Sequence, residues 1–258
     1  MKHIGIVKPD NWINILNWLG IPLIIIYFVS MFMYPFLIGK MDWSYTQNVW
    51  HNWQSLNVGM LAFISSLIAF NISRINAEKQ RGREFIAARA FLPEALTSLS
   101  SYLKLCSPIL KEAWYRANDK TDKCKTPLKN SVPELPLIYK DIFSRCIAYS
   151  ESDVAEHLAR ILTHLQIHHS RLESLKNDFS EQSDSVMISN TIMSCIYSLG
   201  ELQALINRTY DFARGQEGFN GKPLKIEEFW SAYFGLDIEA EDIGDLSGFT
   251  QRAVKRKS

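Results

Sequence analysis

Residues 57–92 read NVGMLAFISSLIAFNISRINAEKQRGREFIAARAFL, and this stretch decides how the chain is organised. Its first half has no charged side chain and is apolar enough for a bilayer, whereas its second half carries several basic residues. No proline or glycine pair interrupts the stretch before Pro93. We therefore predict one long helix that leaves a membrane and continues into a cytoplasmic domain.

Small residues recur along the apolar half of this stretch at steps of three, four, three and four. On a helix this spacing places them on one face, with Met60, Phe63 and Leu67 on the opposite side. A row of small side chains lets another helix approach closely in a membrane. The predicted helix-packing ridge consists of Gly59, Ala62, Ser66, Ala69 and Ser73.

A second apolar segment lies near the N-terminus, where residues 11–39 contain no charged side chain. A signal peptide is the competing interpretation, but the apolar run is longer than a signal peptide needs and no A-x-A-like site follows it. We therefore predict transmembrane helices at 12–38 and 49–73, joined by a periplasmic connection at 39–48. Polar residues at the outer end of the second helix either line an aqueous opening or meet lipid headgroups: His51, Asn52, Gln54 and Asn57.

Basic residues flank the two predicted helices on the same side. Lys2 and Lys8 precede the first helix, whereas the connection holds only Lys40 and Asp42. The positive-inside rule then predicts a multi-pass membrane protein with both termini in the cytoplasm, residues 1–11 being the N-terminal segment. The juxtamembrane basic cluster consists of Arg74, Lys79, Arg81, Arg83 and Arg89. This cluster either attracts anionic lipid or serves only as a topology signal.

Residues 74–258 have the composition of an ordinary soluble domain, with helical stripes and no strand pattern. Stripes at 154–179 and 188–206 alternate steps of four and three, which predicts antiparallel helices joined by a link at 180–184. The polar stretch 117–136 predicts a loop, and the acidic and basic runs after residue 236 predict an irregular, solvated tail. The fold class is therefore all-α, a transmembrane hairpin followed by a cytoplasmic helical bundle.

Three histidines share one face of a predicted helix: His157, His164 and His168. Two of them have the spacing of a zinc-binding pair, but Leu165 stands where the H-E-x-x-H signature needs glutamate. The alternative interpretation is that these histidines flank a core seam or respond weakly to pH. We predict no metal site and no cofactor.

No other motif indicates catalysis. Gly221 and Lys222 precede Pro223, so the glycine-rich segment lacks the sequence of a phosphate-binding P-loop. The predicted domain has 25 Lys/Arg and 25 Asp/Glu, a balance that argues against a dedicated nucleic-acid binder, although the basic loop around Lys120 and Lys129 leaves room for some contact. We predict a non-enzymatic protein that acts through binding and position.

Three functions fit such a protein, and the ridge alone does not separate them. The first is a membrane effector, restrained by a partner, whose hairpins self-associate through the ridge and break membrane integrity on release. The second is an anchor or scaffold that recruits a cytoplasmic partner, the ridge serving only to pack against the first helix. The third is a small oligomeric channel with an ordinary physiological role.

The layout resembles that of the two-helix transmembrane effectors encoded beside bacterial retrons. The segment REFIAARAFLPEAL at 83–96 also resembles a stretch of bacterial membrane proteins with this organisation. The resemblance implies an effector of an anti-phage, abortive-infection system. Its implied partner is a ribonucleoprotein of a reverse transcriptase with its RNA–DNA product, which would restrain the effector until phage infection. No functional residue is transferred by this resemblance.

Overall fold

The computed structural model describes residues 9–122, 124–180 and 189–257. Within these ranges every regular element is helical and no strand occurs, so the predicted all-α class is confirmed. The N-terminal segment with Lys2 and Lys8, most of the predicted link at 180–184, and position 188 of the second stripe lie outside the described residues.

The chain divides into two compact units, Met1–Gln80 and Arg81–Ser258. The first unit contains α1 (Pro9–Phe28), a π-helical segment (Val29–Met33), α2 (Tyr34–Ile38), α3 (Trp43–Asn52) and most of α4 (Gln54–Ala90). The second contains the end of α4, then α5 (Leu92–Asn118), α6 (Ile138–Tyr149), α7 (Ser152–Asp178), α8 (Ser189–Ala213), α9 (Ile226–Gly235) and α10 (Leu246–Lys257).

Pro35 determines how α3 is held in the first unit. Proline has no backbone N–H, so it cannot bond to the carbonyl four residues earlier, which belongs to Met31. The indole Nε1 of Trp50 donates to that carbonyl instead, at 2.8 Å. This hydrogen bond joins α3 to the first helical segment and gives that carbonyl a partner.

The turn between α2 and α3 is tight. An added Cβ at Gly39 would lie 2.7 Å from the Cδ1 atom of Tyr45 and 2.9 Å from the backbone carbonyl oxygen of Pro35, so a larger residue would force the turn to shift. Asp42 caps α3 by accepting a hydrogen bond from the Ser44 N–H at 2.9 Å. After this turn α3 begins at Trp43, so part of the predicted connection at 39–48 is helical. Only Trp53 separates the end of α3 from the start of α4.

Pro93 starts a helix rather than kinking one. Helix α4 ends at Ala90, and α5 begins at Leu92 with Pro93 in its first turn, where the missing N–H has no helical partner to lose. Pro108 lies inside α5, which continues to Asn118. The polar loop between α5 and α6 corresponds closely to the predicted loop at 117–136.

The second unit has one hydrophobic core, in which α5 packs against α6 and α8, and α7 packs against α6 and α8. The apolar stripe of α5 and the apolar positions of the predicted stripes on α7 and α8 are buried in it. On α5 these are Leu92, Leu96, Leu99, Leu103, Cys106 and Leu110. On α7 they are Val154, Leu158, Ile161, Leu165, Leu172 and Leu175, and on α8 they are Ile192, Cys195, Leu199, Leu202 and Ile206.

The prediction of an irregular C-terminal tail is wrong. Residues 246–257 form α10, which packs on α8 and α9. Its inward face follows the i, i+3, i+4, i+7, i+8 spacing of an amphipathic helix, which the neighbouring charges obscure in the sequence. That face consists of Leu246, Phe249, Thr250, Ala253 and Val254.

Candidate functional site: an apolar helix pair

Two helices are long and apolar enough to cross a membrane, Asn17–Ile38 and the one that begins at Gln54. In their most apolar windows, only 11% and 6% of the residues are buried. A helix from the core of a water-soluble domain would bury its apolar side chains. These two helices expose theirs, so the surface they present suits an apolar surrounding.

One face of α4 contacts the first apolar segment. A Cβ added to Gly20 would lie 3.4 Å from both Leu67 and Phe63, and further along the Tyr27 hydroxyl meets Asn57. Later residues of the first segment contact earlier residues of α4, so the two helices run antiparallel. The α4 side chains that face this contact are partly or fully buried: Asn57, Met60, Phe63, Ile64, Leu67 and Asn71.

Polar side chains connect the two helices at two levels. Asn17 and Asn71 form a reciprocal amide pair, each Nδ2 donating to the other Oδ1 at 2.9 Å. The Tyr27 hydroxyl donates to Oδ1 of Asn57 at 2.7 Å, and Nδ2 of Asn57 donates to the Trp50 carbonyl at 3.2 Å. In an apolar surrounding these groups have no water to bond, so the paired geometry is strongly favoured.

The sequence pattern does not predict the amide pair, and it groups Asn57 with other polar residues at the helix end. The structure separates Asn57, which is bonded inside the contact, from the exposed His51, Asn52 and Gln54. The one sequence signal for this contact is the presence of uncharged amide side chains inside apolar segments. Their separation of 54 positions along the chain gave no indication that they meet.

The predicted ridge lies outside this contact. All five of its residues are exposed, and a Cβ added to Gly59 would meet no atom within 4 Å. The Ser66 hydroxyl donates to the Ala62 carbonyl at 2.9 Å, so it needs no partner from another helix. The ridge is therefore not the surface on which the first apolar segment packs, which removes the role that the scaffold interpretation gave it.

The residues of the basic cluster make different contacts. Nε of Arg74 pairs with Glu78 at 2.9 Å in the first unit. In the second unit, Arg81 donates to the carbonyls of Tyr149 and Ser150, and Arg89 lies over the rings of Phe85 and Phe212. The guanidinium of Arg89 therefore packs on aromatic rings of the second unit, an arrangement that suits its planar face. Lys79 and Arg83 are exposed.

The three histidines of α7 have separate environments. His157 Nε2 lies 3.0 Å from the Thr209 hydroxyl, whereas His168 is buried and its Nε2 has no hydrogen-bond partner. Burial lowers the pKa of His157 and of His168 to about 4, and it also lowers the pKa of His164. Within the described ranges, no group of three or more His, Cys, Asp or Glu side chains could hold a metal ion.

No protein-family model matches the chain, and neither a curated protein nor a solved structure matches it.

Proposed function

We propose that the apolar helix pair spans a bacterial inner membrane as a hairpin, with both termini and the second unit in the cytoplasm. Two observations support this topology. The helices have the length and composition of membrane spans and keep their apolar side chains exposed. The basic residues are concentrated after the second helix, as the positive-inside rule requires for a cytoplasmic end.

The function that the geometry supports best is that of a membrane effector. Copies of the hairpin associate through Gly59, Ala62, Ser66, Ala69 and Ser73 and break the integrity of the membrane. The observation that carries this proposal is the exposure of the whole ridge while the other side of α4 is occupied by the first apolar segment. Rows of small residues are the surfaces on which membrane helices approach each other most closely.

Transport driven by ionisable groups has less support. Residues 17–38 and 54–73 contain no Asp, Glu, Lys, Arg or His side chain. Proton-coupled and ion-coupled transporters use such groups inside the membrane. A permeability pathway formed between copies of the hairpin needs none.

The restraint on this effector comes from a partner of the second unit. Large apolar side chains remain exposed on that unit, among them Leu137 at 84% and Phe234 at 86%. We propose these two side chains as contact points for the partner. The resemblance to retron effectors suggests a reverse transcriptase ribonucleoprotein as the partner and phage infection as the trigger, and the anti-phage role is proposed on that resemblance alone.

The test is expression of the chain alone in a bacterium, with a membrane-potential dye and a propidium-type dye followed over time. We expect depolarisation followed by dye entry, and loss of both in Ser66→Leu. The matched control is Ser65→Leu, the same change one residue earlier, which is turned about 100° away from the ridge. Both variants must insert in the membrane at equal levels.

Healthy cells with confirmed insertion and an intact potential would contradict the effector proposal and favour the anchor or scaffold. A selective ion current without propidium entry would instead favour the small channel. Equal loss of toxicity in Ser65→Leu and Ser66→Leu would show that the ridge is not the active surface.

A further inference from the structure

A cavity of about 340 Å³ lies in the second unit, in a part of the chain that the proposed function does not use. Its walls come from α7, α8, the segment before α9, α9 itself and α10. Five charged residues belong to its lining: Arg160, Glu201, Arg208, Lys222 and Lys257.

Glu201 binds two of the basic residues of this lining. The residue is only 4% exposed, and its Oε1 accepts hydrogen bonds from Arg160 Nη2 at 3.3 Å and from Lys257 Nζ at 2.6 Å. The two cations come from different helices, α7 and α10, and about half of each side chain remains exposed. One carboxylate thus holds two cations at the cavity, and one of their charges is not balanced.

The remaining charges add to this excess. Arg208 is neutralised by Glu228, whose Oε1 accepts from Arg208 Nε at 2.7 Å. Lys222 is exposed at the cavity, on the segment whose backbone carbonyl accepts from Arg208. Four basic side chains therefore face two carboxylates, which leaves two positive charges. Asp153 and Glu156 line a neighbouring depression that shares Arg160, so they limit this positive region on one side.

The lining also contains apolar side chains. Leu205, Leu224 and Val254 line the cavity together with the ring of Phe229. Small-molecule sites are typically clefts of several hundred Å³ that combine an apolar lining with a few placed polar groups. The ligand that fits such a cavity has a doubly negative end and a compact, largely apolar body.

We propose that this cavity binds a small phosphomonoester of about mononucleotide size, with its phosphate among Arg160, Lys222 and Lys257. A phosphomonoester carries between about −1.5 and −2 charges at neutral pH, which matches the two unbalanced positive charges. Guanidinium and ammonium groups are the usual protein partners of phosphate oxygens. The body of the ligand lies along Leu205 and Leu224.

Binding at this place has a structural consequence. Val254 and Lys257 belong to the last turns of α10, so the ligand bridges α7 and α10. The contacts of α10 with the rest of the unit include a short apolar face, the hydrogen bond between the hydroxyls of Tyr233 and Thr250, and the ion pair of Lys257 with Glu201. A bound phosphomonoester therefore stabilises the docked position of α10.

The experiment is isothermal titration calorimetry and thermal unfolding of the full chain in detergent. The probes are AMP, adenosine and inorganic phosphate, and vesicles with and without phosphatidic acid form a separate arm. We expect AMP to bind and raise the melting temperature, adenosine to have no effect, and inorganic phosphate to bind more weakly. Binding of inorganic phosphate and of phosphatidic acid vesicles, without binding of AMP, would identify a lipid headgroup as the source of the same phosphate chemistry.

Three variants test the assignment of the site. Lys222→Gln and Lys257→Gln should each weaken the binding of AMP by about tenfold, since each removes one charged partner of the phosphate. Arg256→Gln is the matched control, because it removes a neighbouring charge of α10 that does not line the cavity. Lys222 lies on the surface, so Lys222→Gln should fold even if Lys257→Gln disturbs α10.

The proposal is overturned if AMP, inorganic phosphate and phosphatidic acid all fail to bind. It is also overturned if binding is the same in Lys222→Gln, Lys257→Gln and Arg256→Gln.

Discussion

The two units of this chain use the same apolar residue types in opposite ways. Helices α5 to α10 turn them inward, and residues such as Leu96 and Leu103 are fully buried. The apolar helix pair turns them outward and is joined by a few hydrogen bonds between Asn17 and Asn71, Tyr27 and Asn57. Burial of apolar surface drives folding in water. In lipid, a helix gains little by moving apolar side chains from lipid to another helix, so polar pairs and small residues determine which helix faces pack together. The difference suits one unit in water and one in a bilayer.

The largest expected loss of stability comes from removing a buried side chain from the core of the second unit. Leu103→Ala removes a fully buried side chain from α5 and should lower the free energy of unfolding by about 2–5 kcal/mol. Leu105→Ala is the matched control two residues away, where the side chain is 61% exposed, and should change it by less than about 0.5 kcal/mol. Denaturant unfolding of the full chain in detergent measures both, and equal effects would contradict the assignment of the core.

The second effect concerns the buried polar group of the same unit. His168 takes up a proton near pH 6.5 when unfolded, but burial lowers its pKa to about 4 when folded. The unfolded state therefore binds more protons in this range, and stability falls as the pH falls from about 6.5 to 4, by up to about 3 kcal/mol. Thermal unfolding at several pH values measures this slope. His168→Leu should remove the part of the slope that His168 contributes, while the part from His157 remains. An unchanged slope in that variant would assign the pH dependence to other groups.

A smaller effect is expected in the apolar helix pair. Asn71→Leu leaves the amide of Asn17 without its partner, and the pair should weaken by about 1 kcal/mol. The double variant Asn17→Leu/Asn71→Leu leaves no unpaired amide and should recover part of the loss. A double-mutant cycle on unfolding in bicelles gives the coupling energy between the two residues. A coupling energy of zero would show that the two amides do not meet.

The comparison also explains what could be predicted from the sequence. The stripes of α7 and α8 identified their helices, because a periodic pattern within one helix is a local property. The face of α10 was missed, since Leu246, Phe249 and Val254 stand among charged residues that suggested a tail. The charged cavity could not be predicted at all, because Arg160, Glu201 and Lys257 come from three helices that are distant in sequence.

In the apolar helix pair, too, local features could be predicted from the sequence and tertiary contacts could not. The spacing of the ridge was readable as one helix face, and the structure keeps those residues together on an exposed side of α4. Which face meets the first apolar segment was not readable, because both faces are apolar. The choice depends on pairs such as Gly20 with Leu67, which form only in three dimensions.

Cysteine cross-linking in native membranes tests the central claim most directly. Ser66→Cys and Ser65→Cys are introduced separately and oxidised, and the unmodified chain provides the background from the natural cysteines. The proposal predicts cross-linked dimers of Ser66→Cys well above this background and few or none of Ser65→Cys, because only position 66 faces another copy. Equal cross-linking at both positions, or none at position 66 in cells that the protein kills, would contradict assembly through the ridge.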